Sequence, residues 1–325
     1  MNILLTGGAG YIGSTTANLF LDKGHNVVVI DDLSTGSIRN LPSKVKFFKF
    51  NIKNKIKLQK LLKEYEFDIL IHFAAFIDVE ESVKKPKKYY DNNFKNTKIL
   101  LEICSKYNLN KIIFSSTAAV YGNSITGIVS ENTPVNPKSP YAKSKLKCEN
   151  LIKKNNFDFI ILRYFNVSGA ETKLRCGHIS KKKSTHLIKK ICENFYKDED
   201  LEIFGKNYPS KDGTAIRDYI HVSDLAMAHY KSAKYLLKFK KSHVLNCGYG
   251  KGNSVLNVIK TFNKINYKKI KYTFSNRRLG DVFKIVTKTN KIKRILRWKP
   301  KYQSLRYILQ SSLKWEKKIS IKNAK

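Results

Sequence analysis

The fold is decided by TGGAGYIGS, residues 6–14, which directly follows the short apolar run NILLT at residues 2–6. Gly7, Gly10 and Gly13 stand three residues apart, and the stretch also contains the pattern G-x-G-x-x-G. Glycines in this arrangement permit a tight turn, a close approach of a pyrophosphate to the backbone, and close packing of the next helix on the sheet. The start of that helix offers free N–H groups and its positive dipole end to phosphate. The stretch therefore predicts a dinucleotide-binding turn.

The acidic residue after the second apolar run predicts which dinucleotide is bound. The run NVVVI at residues 26–30 is followed by Asp31, 18 residues after Gly13. A carboxylate at this position accepts hydrogen bonds from the adenosine ribose and repels a 2′-phosphate, which favours NAD over NADP. A glycine-rich turn without a ligand is the alternative, but this turn follows a strand and opens a helix, as the dinucleotide motif requires.

The first half of the chain alternates β-rich runs with helix-length segments, which is typical of an α/β fold with a doubly wound parallel sheet. The predicted strands are 2–6, 26–30, 45–50, 68–74, 111–116 and 157–165, and the predicted helices are 11–23, 54–65, 86–107 and 141–154. Residues 170–215 are polar and carry Gly and Pro. We therefore expect a Rossmann domain over 1–169, with segments around 215–247 returning to its sheet, and a smaller C-terminal α/β substrate domain over 170–325.

Composition argues against several classes of protein. No run of 18 apolar residues exists, so no membrane partner is expected, and the start MNILLTGG resembles no signal peptide. The five cysteines are scattered without a C-x-x-C pair, which favours free thiols in a reducing cytoplasm. No group of His, Cys and Asp has metal-ligand spacing, so we expect no metal.

The formal net charge of +38 is extreme and suggests two interpretations. One is a surface that binds nucleic acid or anionic membranes. The other is codon bias, because 54 of the 63 basic residues are Lys and they are spread along the whole chain. A nucleic-acid surface favours Arg and clustered charge. We therefore expect no specific nucleic-acid partner, and a general attraction for an anionic substrate.

SPYAKSK, residues 139–145, contains a tyrosine with a lysine four positions later, a spacing that places Tyr141 and Lys145 on one helix face. With 18 Tyr and 54 Lys in the chain, chance gives roughly three pairs at this helical spacing, and the chain has four. The context of this pair is what distinguishes it. Pro140 marks a helix start. Tyr141 comes 24 residues after Thr117, which stands at the end of a predicted strand. Doubly wound sheets place their chemistry at such strand ends.

Nine segments, taken in order, resemble the extended short-chain dehydrogenase/reductase family, and within it the UDP-glucose 4-epimerases. They are TGGAGYIG, DDLSTG, HFAA, YYDNN, SSTAAVYG, SPYAKSK, RYFNVSGA, DGTAIRDYIHVSDLA and RRLGD. The resemblance runs from Met1 to about residue 300. It implies NAD-dependent 4-epimerisation of a UDP-hexose, with UDP-galactose and UDP-glucose as the expected pair, and a homodimer formed through helices near 91–107 and 141–154.

The resemblance also implies roles for individual residues. Tyr141 would take the proton of the sugar 4-hydroxyl as a phenolate, Lys145 and the nicotinamide charge would lower the pKa of Tyr141, and Thr117 would hydrogen-bond the 4-oxygen. The implied cofactor residues are Gly7, Gly10, Tyr11, Ile12, Gly13, Asp31, Asp32, Asn51, Ile52, Phe73, Ala74, Ala75, Asn93, Ser115, Tyr141, Lys145, Tyr164 and Phe165. The implied substrate residues are Thr117, Tyr141, Asn166, His186, Leu187, Arg217, Tyr219, Arg278 and Asp281.

Departures from the family pattern decide between related reactions. Ala118 and Ala119 follow Thr117, where the related dehydratases carry acidic residues, and this favours an epimerase. Asn51 replaces a usual Asp near the adenine, and the mid-sized Ile285 leaves N-acetylated sugars undecided. UDP-N-acetylglucosamine 4-epimerase, or another UDP-sugar epimerase of the fold, therefore remains an alternative. A third is a degenerate Rossmann protein that binds polyanions, which the intact Tyr141 and Lys145 disfavour.

Overall fold

The computed structural model describes residues 1–122, 127–181, 184–278 and 281–323, so that two residues of the RRLGD segment, Leu279 and Gly280, lie outside the described residues. The strands in chain order are β1 (Asn2–Thr6), β2 (Asn26–Asp31), β3 (Lys46–Lys49), β4 (Ile69–His72), β5 (Lys111–Thr117), β6 (Ile128–Val129), β7 (Asp158–Tyr164), β8 (Asn166–Ser168), β9 (Leu201–Phe204), β10 (Ile216–His221), β11 (His243–Cys247), β12 (Gly252–Ser254), β13 (Tyr272–Ser275) and β14 (Lys284–Thr287).

Seven of these strands form one parallel sheet in the order β11-β7-β5-β4-β1-β2-β3. Six of them are the strands expected from the apolar runs, with ends that agree within two residues. Alternate residues of these strands enter different hydrophobic clusters: Ile3 and Leu5 belong to one, and Leu4 belongs to the other. Both faces of the sheet are therefore covered, which explains why the strands read as continuous apolar runs.

Helices cover both faces of this sheet, and further helices belong to the rest of the chain. They are α1 (Tyr11–Asp22), α2 (Lys55–Glu64), α3 (Val79–Lys84), α4 (Pro86–Tyr89), α5 (Asn96–Lys106), α6 (Pro140–Lys154), α7 (Leu187–Lys197), α8 (Val222–Phe239), α9 (Val255–Ile265), α10 (Asn290–Leu296) and α11 (Leu305–Asn323). The helix predicted over 86–107 is present but is interrupted by a π-helical segment, Tyr90–Lys95. Among the described residues, no helix is both long and apolar enough to cross a membrane.

The smaller part of the fold is built from short strands. One sheet has the order β12-β10-β14-β6, with β8 paired to β10, and a separate parallel pair joins β13 to β9. The buried carboxylate of Asp224 in the first turn of α8 accepts hydrogen bonds from the backbone N–H groups of Lys301 and Tyr302, at 2.8 Å each. The seven-stranded parallel sheet with helices on both faces confirms the predicted α/β architecture with a doubly wound parallel sheet.

Candidate active site

The glycine turn between β1 and α1 is shaped so that side chains are excluded from it. Gly7 has a φ of +74°, and a Cβ there would lie 2.6 Å from the backbone nitrogen of Ala74. A Cβ on Gly13 would lie 2.3 Å from the carbonyl oxygen of Gly7. Gly10 precedes α1 without a side-chain capping bond, and no acidic residue occupies the first helical turn. The residues present therefore fit the pyrophosphate of NAD, with Tyr11 and Ile12 at the start of the helix.

The end of β2 carries the predicted ribose-binding residues. Asp31 is buried, and its carboxylate accepts hydrogen bonds from the backbone N–H groups of Ala9 at 3.0 Å and Leu33 at 2.8 Å. Burial raises the pKa of Asp31, and these two bonds oppose the shift. The first contact ties the predicted ribose residue to the glycine turn, so that two predicted parts of the cofactor site are brought together.

Asn51, which departs from the family pattern, lies beside Asp32. Its amide nitrogen donates to the Asp32 carboxylate at 2.6 Å, and its carbonyl oxygen accepts from the backbone N–H of Lys53 at 3.0 Å. Burial opposes ionisation of Asp32, but hydrogen bonds from Ser34 and from Asn51 leave its pKa lowered. The neighbouring Ile52 is buried in the hydrophobic core. Asn51 thus orients an acidic neighbour, which the sequence does not reveal.

The loop after β4 contains Phe73, Ala74 and Ala75, and Asn93 from the π-helical segment holds it in place. The Asn93 side chain accepts from the backbone N–H of Phe76 at 2.8 Å and donates to its carbonyl oxygen at 3.0 Å. The predicted cofactor residue Asn93 therefore acts on the backbone of this loop. The ring of Phe73 packs against His229 at a centroid distance of 4.8 Å.

The predicted catalytic residues meet at the carboxyl end of β5. Tyr141 and Lys145 are both buried on α6, whose start is capped by the Ser139 side chain through the N–H of Ala142. The Tyr141 hydroxyl lies beside the Thr117 side chain, which lowers the pKa of Tyr141. The ammonium group of Lys145 donates to the carbonyl oxygen of Ser115 at 2.6 Å. The two residues expected on one helix face thus contact one strand end.

The electrostatics of this group differ from the expectation that Lys145 lowers the pKa of Tyr141. Burial raises the pKa of Tyr141, and the neighbouring Thr117 side chain opposes the shift only in part. Burial also lowers the pKa of Lys145 to about 8, and Cys148 and Glu149 oppose this shift. The chain's own residues therefore favour the neutral phenol, and formation of the phenolate requires an additional positive charge such as that of an oxidised nicotinamide.

We expect Lys145→Met to stabilise the fold at neutral pH. One pKa unit is worth about 1.4 kcal/mol, so a pKa that falls from 10.5 to about 8 makes the buried ammonium cost about 3 kcal/mol. Loss of the bond to Ser115 offsets about 1 kcal/mol of this gain. Because the folded pKa is the lower one, the penalty is complete below pH 8 and disappears as the pH rises to 10.5.

Urea unfolding at several pH values tests this prediction. The gain of Lys145→Met over wild type is expected to shrink between pH 8 and 10.5, whereas Lys206→Met, at an exposed site, changes little at any pH. A loss of stability in Lys145→Met at pH 7 contradicts the prediction.

Two aromatic residues follow on β7 and beyond it. The Tyr164 hydroxyl is hydrogen-bonded to Nε2 of the buried His229, whose Nδ1 lies 2.9 Å from the carbonyl oxygen of Leu225. Burial lowers the pKa of His229 to about 4, so this imidazole is neutral. Phe165 is buried in a small hydrophobic cluster that includes Ile285. Tyr164 is thereby held in a fixed orientation next to the predicted catalytic group.

The predicted diphosphate and uridine residues gather around β10. The Arg217 guanidinium donates to the Asp281 carboxylate at 2.5 Å, and the Tyr208 hydroxyl reaches the same carboxylate at 3.3 Å. Tyr219 is buried on β10, directly opposite Asn166 of β8. The exposed Arg278 lies outside this pairing, with its guanidinium carbon 3.8 Å from the centre of the Phe204 ring.

His186 and Leu187 lie at the start of α7. His178, which belongs to no sequence motif, links His186 to the glycine turn. The ring of His186 packs edge-on against His178 at 5.1 Å, and His178 stacks on Tyr11 at 5.2 Å. The Tyr11 hydroxyl donates to the carbonyl oxygen of Gly169 at 2.6 Å. Burial lowers the pKa of both histidines, so both rings are neutral. A predicted cofactor residue and a predicted substrate residue are thus connected through His178.

Comparison with known proteins shows the family of this chain. The model of the NAD dependent epimerase/dehydratase family matches residues 3–248. A UDP-glucose 4-epimerase of Azospirillum brasilense is 40% identical over 322 residues, which are 98% of this chain and 92% of that protein. These matches extend well beyond the glycine turn and include α6, the helix of Tyr141 and Lys145.

Solved structures show the same likeness. A UDP-glucose 4-epimerase from Stenotrophomonas maltophila, with bound NAD and a formylated UDP-arabinopyranose, has a TM-score of 0.95 at 31% identity, with 99% of each chain covered. The UDP-Glc/GlcNAc 4-epimerase of Campylobacter jejuni has a TM-score of 0.85 at 42% identity, covering 98% of this chain and 99% of that one. The matched residues include both the glycine turn and the helix of Tyr141 and Lys145, and this chain belongs to the NAD dependent epimerase/dehydratase family.

Proposed function

We propose that this protein is an NAD-dependent UDP-hexose 4-epimerase, an isomerase that interconverts UDP-galactose and UDP-glucose. The observation that carries the proposal is the contact of Tyr141 with Thr117, with Lys145 bound to Ser115 on the same strand. This group lies at the carboxyl end of the sheet that also carries the glycine turn. The relatives at 40% identity over nearly the whole chain support the same reaction.

Each residue of the group has a defined task in this reaction. The chemistry that NAD supplies when bound is removal of a hydride from sugar C4 and its return to the opposite face after the 4-keto sugar has rotated. Tyr141, as phenolate, accepts the proton of the 4-hydroxyl and later gives it back. Thr117 holds the 4-oxygen by a hydrogen bond, and Lys145 binds the nicotinamide ribose. The positive charge of the oxidised nicotinamide would favour the phenolate of Tyr141.

The remaining predicted residues divide between the two ligands. We assign the turn at Gly7–Gly13 to the pyrophosphate and Asp31 to the adenosine ribose. We assign Arg217 and Asp281 to the UDP moiety, because the Arg217 guanidinium is held in a fixed orientation by the Asp281 carboxylate and by the carbonyl oxygens of Ile216 and Phe283, and it offers a permanent positive charge to phosphate oxygens.

We expect Arg217→Lys to weaken UDP-sugar binding more than it slows the chemistry. The lysine keeps the charge but loses the fork, so KM for UDP-galactose is expected to rise about tenfold while kcat changes little, as for removal of one charge-assisted hydrogen bond. Steady-state kinetics test this, with Arg277→Lys as the control, because Arg277 is exposed and its guanidinium is bound to Asn207, whereas Arg217 is largely buried and bound to the Asp281 carboxylate. An unchanged KM contradicts the assignment of Arg217 to the substrate site.

A single assay tests the function. Purified protein is mixed with UDP-galactose, without added NAD, and UDP-glucose is measured. Product formation establishes both the reaction and the retained cofactor. If product appears only when NAD is added, the reaction stands and the tight retention of NAD does not. No product under either condition rejects the proposal.

A second substrate class is favoured by one similarity. The Campylobacter jejuni protein that is 42% identical to this chain is a UDP-Glc/GlcNAc 4-epimerase. Ile285 packs with Phe165 beside the catalytic group, and a side chain of this size does not itself exclude an N-acetyl group. Parallel assays with UDP-galactose and UDP-N-acetylgalactosamine separate a strict hexose epimerase from one that accepts both.

The organisation of the protein is part of the proposal. The cofactor is assigned to residues 1–169 with the returning segments, and the UDP-sugar mainly to residues 170–325. We propose a homodimer formed by α5 and α6, which light scattering tests directly, with a monomer as the contrary result. The five buried, unpaired cysteines support a location in the cytoplasm.

A further inference from the structure

The helix that carries the catalytic pair carries a third residue in the same row. Tyr141, Lys145 and Glu149 stand at positions i, i+4 and i+8 of α6, which places them along one face of the helix. Glu149 has no exposed surface and no task in the reaction proposed above. A buried carboxylate is costly unless it is paired and fully hydrogen-bonded. Its partners therefore show what it does.

Glu149 joins α6 to two neighbouring strands. The Ser116 hydroxyl donates to Oε1 at 2.5 Å, and Arg163 donates through Nε to Oε1 at 2.9 Å and through Nη2 to Oε2 at 2.6 Å. Ser116 and Arg163 are directly opposite one another in the pairing of β5 with β7. Ser116 also stands between Ser115 and Thr117, the two residues of β5 that contact Lys145 and Tyr141.

Arg163 extends the connection to the turn behind Thr117. Its Nη1 donates to the Tyr121 hydroxyl at 3.0 Å, and that hydroxyl donates to the side-chain oxygen of Asn246 on β11 at 2.6 Å. Tyr121 is the last residue of a 3-10 turn, Ala118–Tyr121, that directly follows Thr117. Thr117 is therefore fixed from both sides, by Ser116 before it and by the Tyr121 turn after it.

We propose that Glu149 and Arg163 are positioning residues that set the register of α6 against β5 and thereby hold the Tyr141 hydroxyl at Thr117. The inference rests on the proposed epimerase function. The pair is bidentate and therefore specific in geometry. Stability alone does not account for it, because buried ion pairs are often replaced by apolar groups without loss of stability.

Two variants with different severity test the pair by steady-state kinetics with UDP-galactose, with bound NAD and thermal midpoint measured in parallel. Tyr121→Phe removes one hydroxyl from the network, and Arg163→Lys removes the fork but keeps the charge. Tyr249→Phe is the matched control, because its buried hydroxyl also donates to a carboxylate, that of Asp224 at 2.5 Å, away from α6.

A displacement of reacting groups by about 1 Å costs up to about a hundredfold in rate, so we expect kcat to fall about tenfold in Tyr121→Phe and about a hundredfold in Arg163→Lys. KM is expected to stay within about twofold and NAD to remain bound, since neither residue is placed at a ligand. Tyr249→Phe is expected to lower the thermal midpoint and leave kcat unchanged.

The outcomes separate the inference from the function on which it rests. If wild type is active and both network variants keep its kcat while their thermal midpoints fall, the pair is structural and the inference is overturned. If kcat falls equally in Tyr249→Phe, the loss reflects general destabilisation, and the inference is overturned in that case too. An inactive wild type overturns the proposed function, and the inference falls with it.

Discussion

Tyr141→Phe is expected to lower kcat by about 10³-fold while the protein stays folded and keeps its NAD, as removal of a general acid–base group costs about 10²–10⁴ in rate. The side chain is 9% exposed, so a phenylalanine ring fills the same buried space and only the hydroxyl is lost. Thr117 still accepts a hydrogen bond from the backbone N–H of Ala119 at 3.1 Å, so the strand end remains in place. The loss is therefore specific to proton transfer.

Another tyrosine of the same spacing provides the control. Tyr267 also has a lysine four residues later, Lys271, but its side chain is 94% exposed. Tyr267→Phe is expected to keep the kcat of wild type. Nucleotide content after denaturation measures whether NAD remains bound in both variants. A Tyr141→Phe enzyme with more than about a tenth of wild-type kcat is incompatible with Tyr141 as the acid–base group.

Gly7→Ala is expected to abolish NAD binding and to destabilise the protein strongly. Two separate penalties act at this position. The φ of +74° costs an alanine about 1 kcal/mol. The added Cβ would also lie 2.6 Å from the nitrogen of Ala74 and 2.9 Å from the carbonyl carbon of Phe73, so the glycine turn and the loop after β4 must separate. Those are the two loops assigned to the cofactor.

Gly24→Ala separates the two penalties. Gly24 has a φ of +75°, but a Cβ there would meet no atom within 4 Å. The Gly24→Ala variant therefore has only the backbone penalty, about 1 kcal/mol, and is expected to retain NAD. Thermal unfolding and extracted nucleotide are compared for both variants. If Gly7→Ala keeps a full complement of NAD, the turn is not the phosphate site.

Gly10→Ala distinguishes loss of the ligand from loss of the fold. Gly10 has a φ of −76°, and its added Cβ would be 3.2 Å from the Gly7 carbonyl oxygen, a contact that a small shift relieves. We expect this variant to fold and to bind NAD more weakly than wild type, because the methyl group faces the turn where phosphate approaches.

Local features made much of the fold and site predictable. Short contiguous stretches of sequence determine the glycine turn, the apolar strands and the helix start at Pro140. The structure has each of these features where the sequence predicts it. The contact of Tyr141 with Thr117 was predictable for the same reason, because one residue opens a helix and the other ends a strand of a parallel sheet.

Features that depend on distant pairing were not predictable. Glu149 and Arg163 meet only because α6 packs across β5 and β7, and neither residue belongs to a local pattern. His178 joins Tyr11 to His186 from an irregular segment without any motif. The rise in the pKa of Tyr141 follows from burial, which a sequence motif does not report. Such properties are set by tertiary packing.

The place of β11 in the main sheet has a consequence for dissecting the protein. β11 is the edge partner of β7, yet residues 165–242 separate the two strands in the chain. A fragment that stops at residue 169 would leave the hydrogen-bonding groups of β7 open beside Ile160, Ile161 and Leu162, all fully buried in the intact chain. An unprotected apolar edge is a template for pairing between molecules, so this fragment is expected to aggregate when expressed alone. During synthesis the same edge stays uncovered until residue 247 has left the ribosome, which makes that interval the time when a chaperone is most needed.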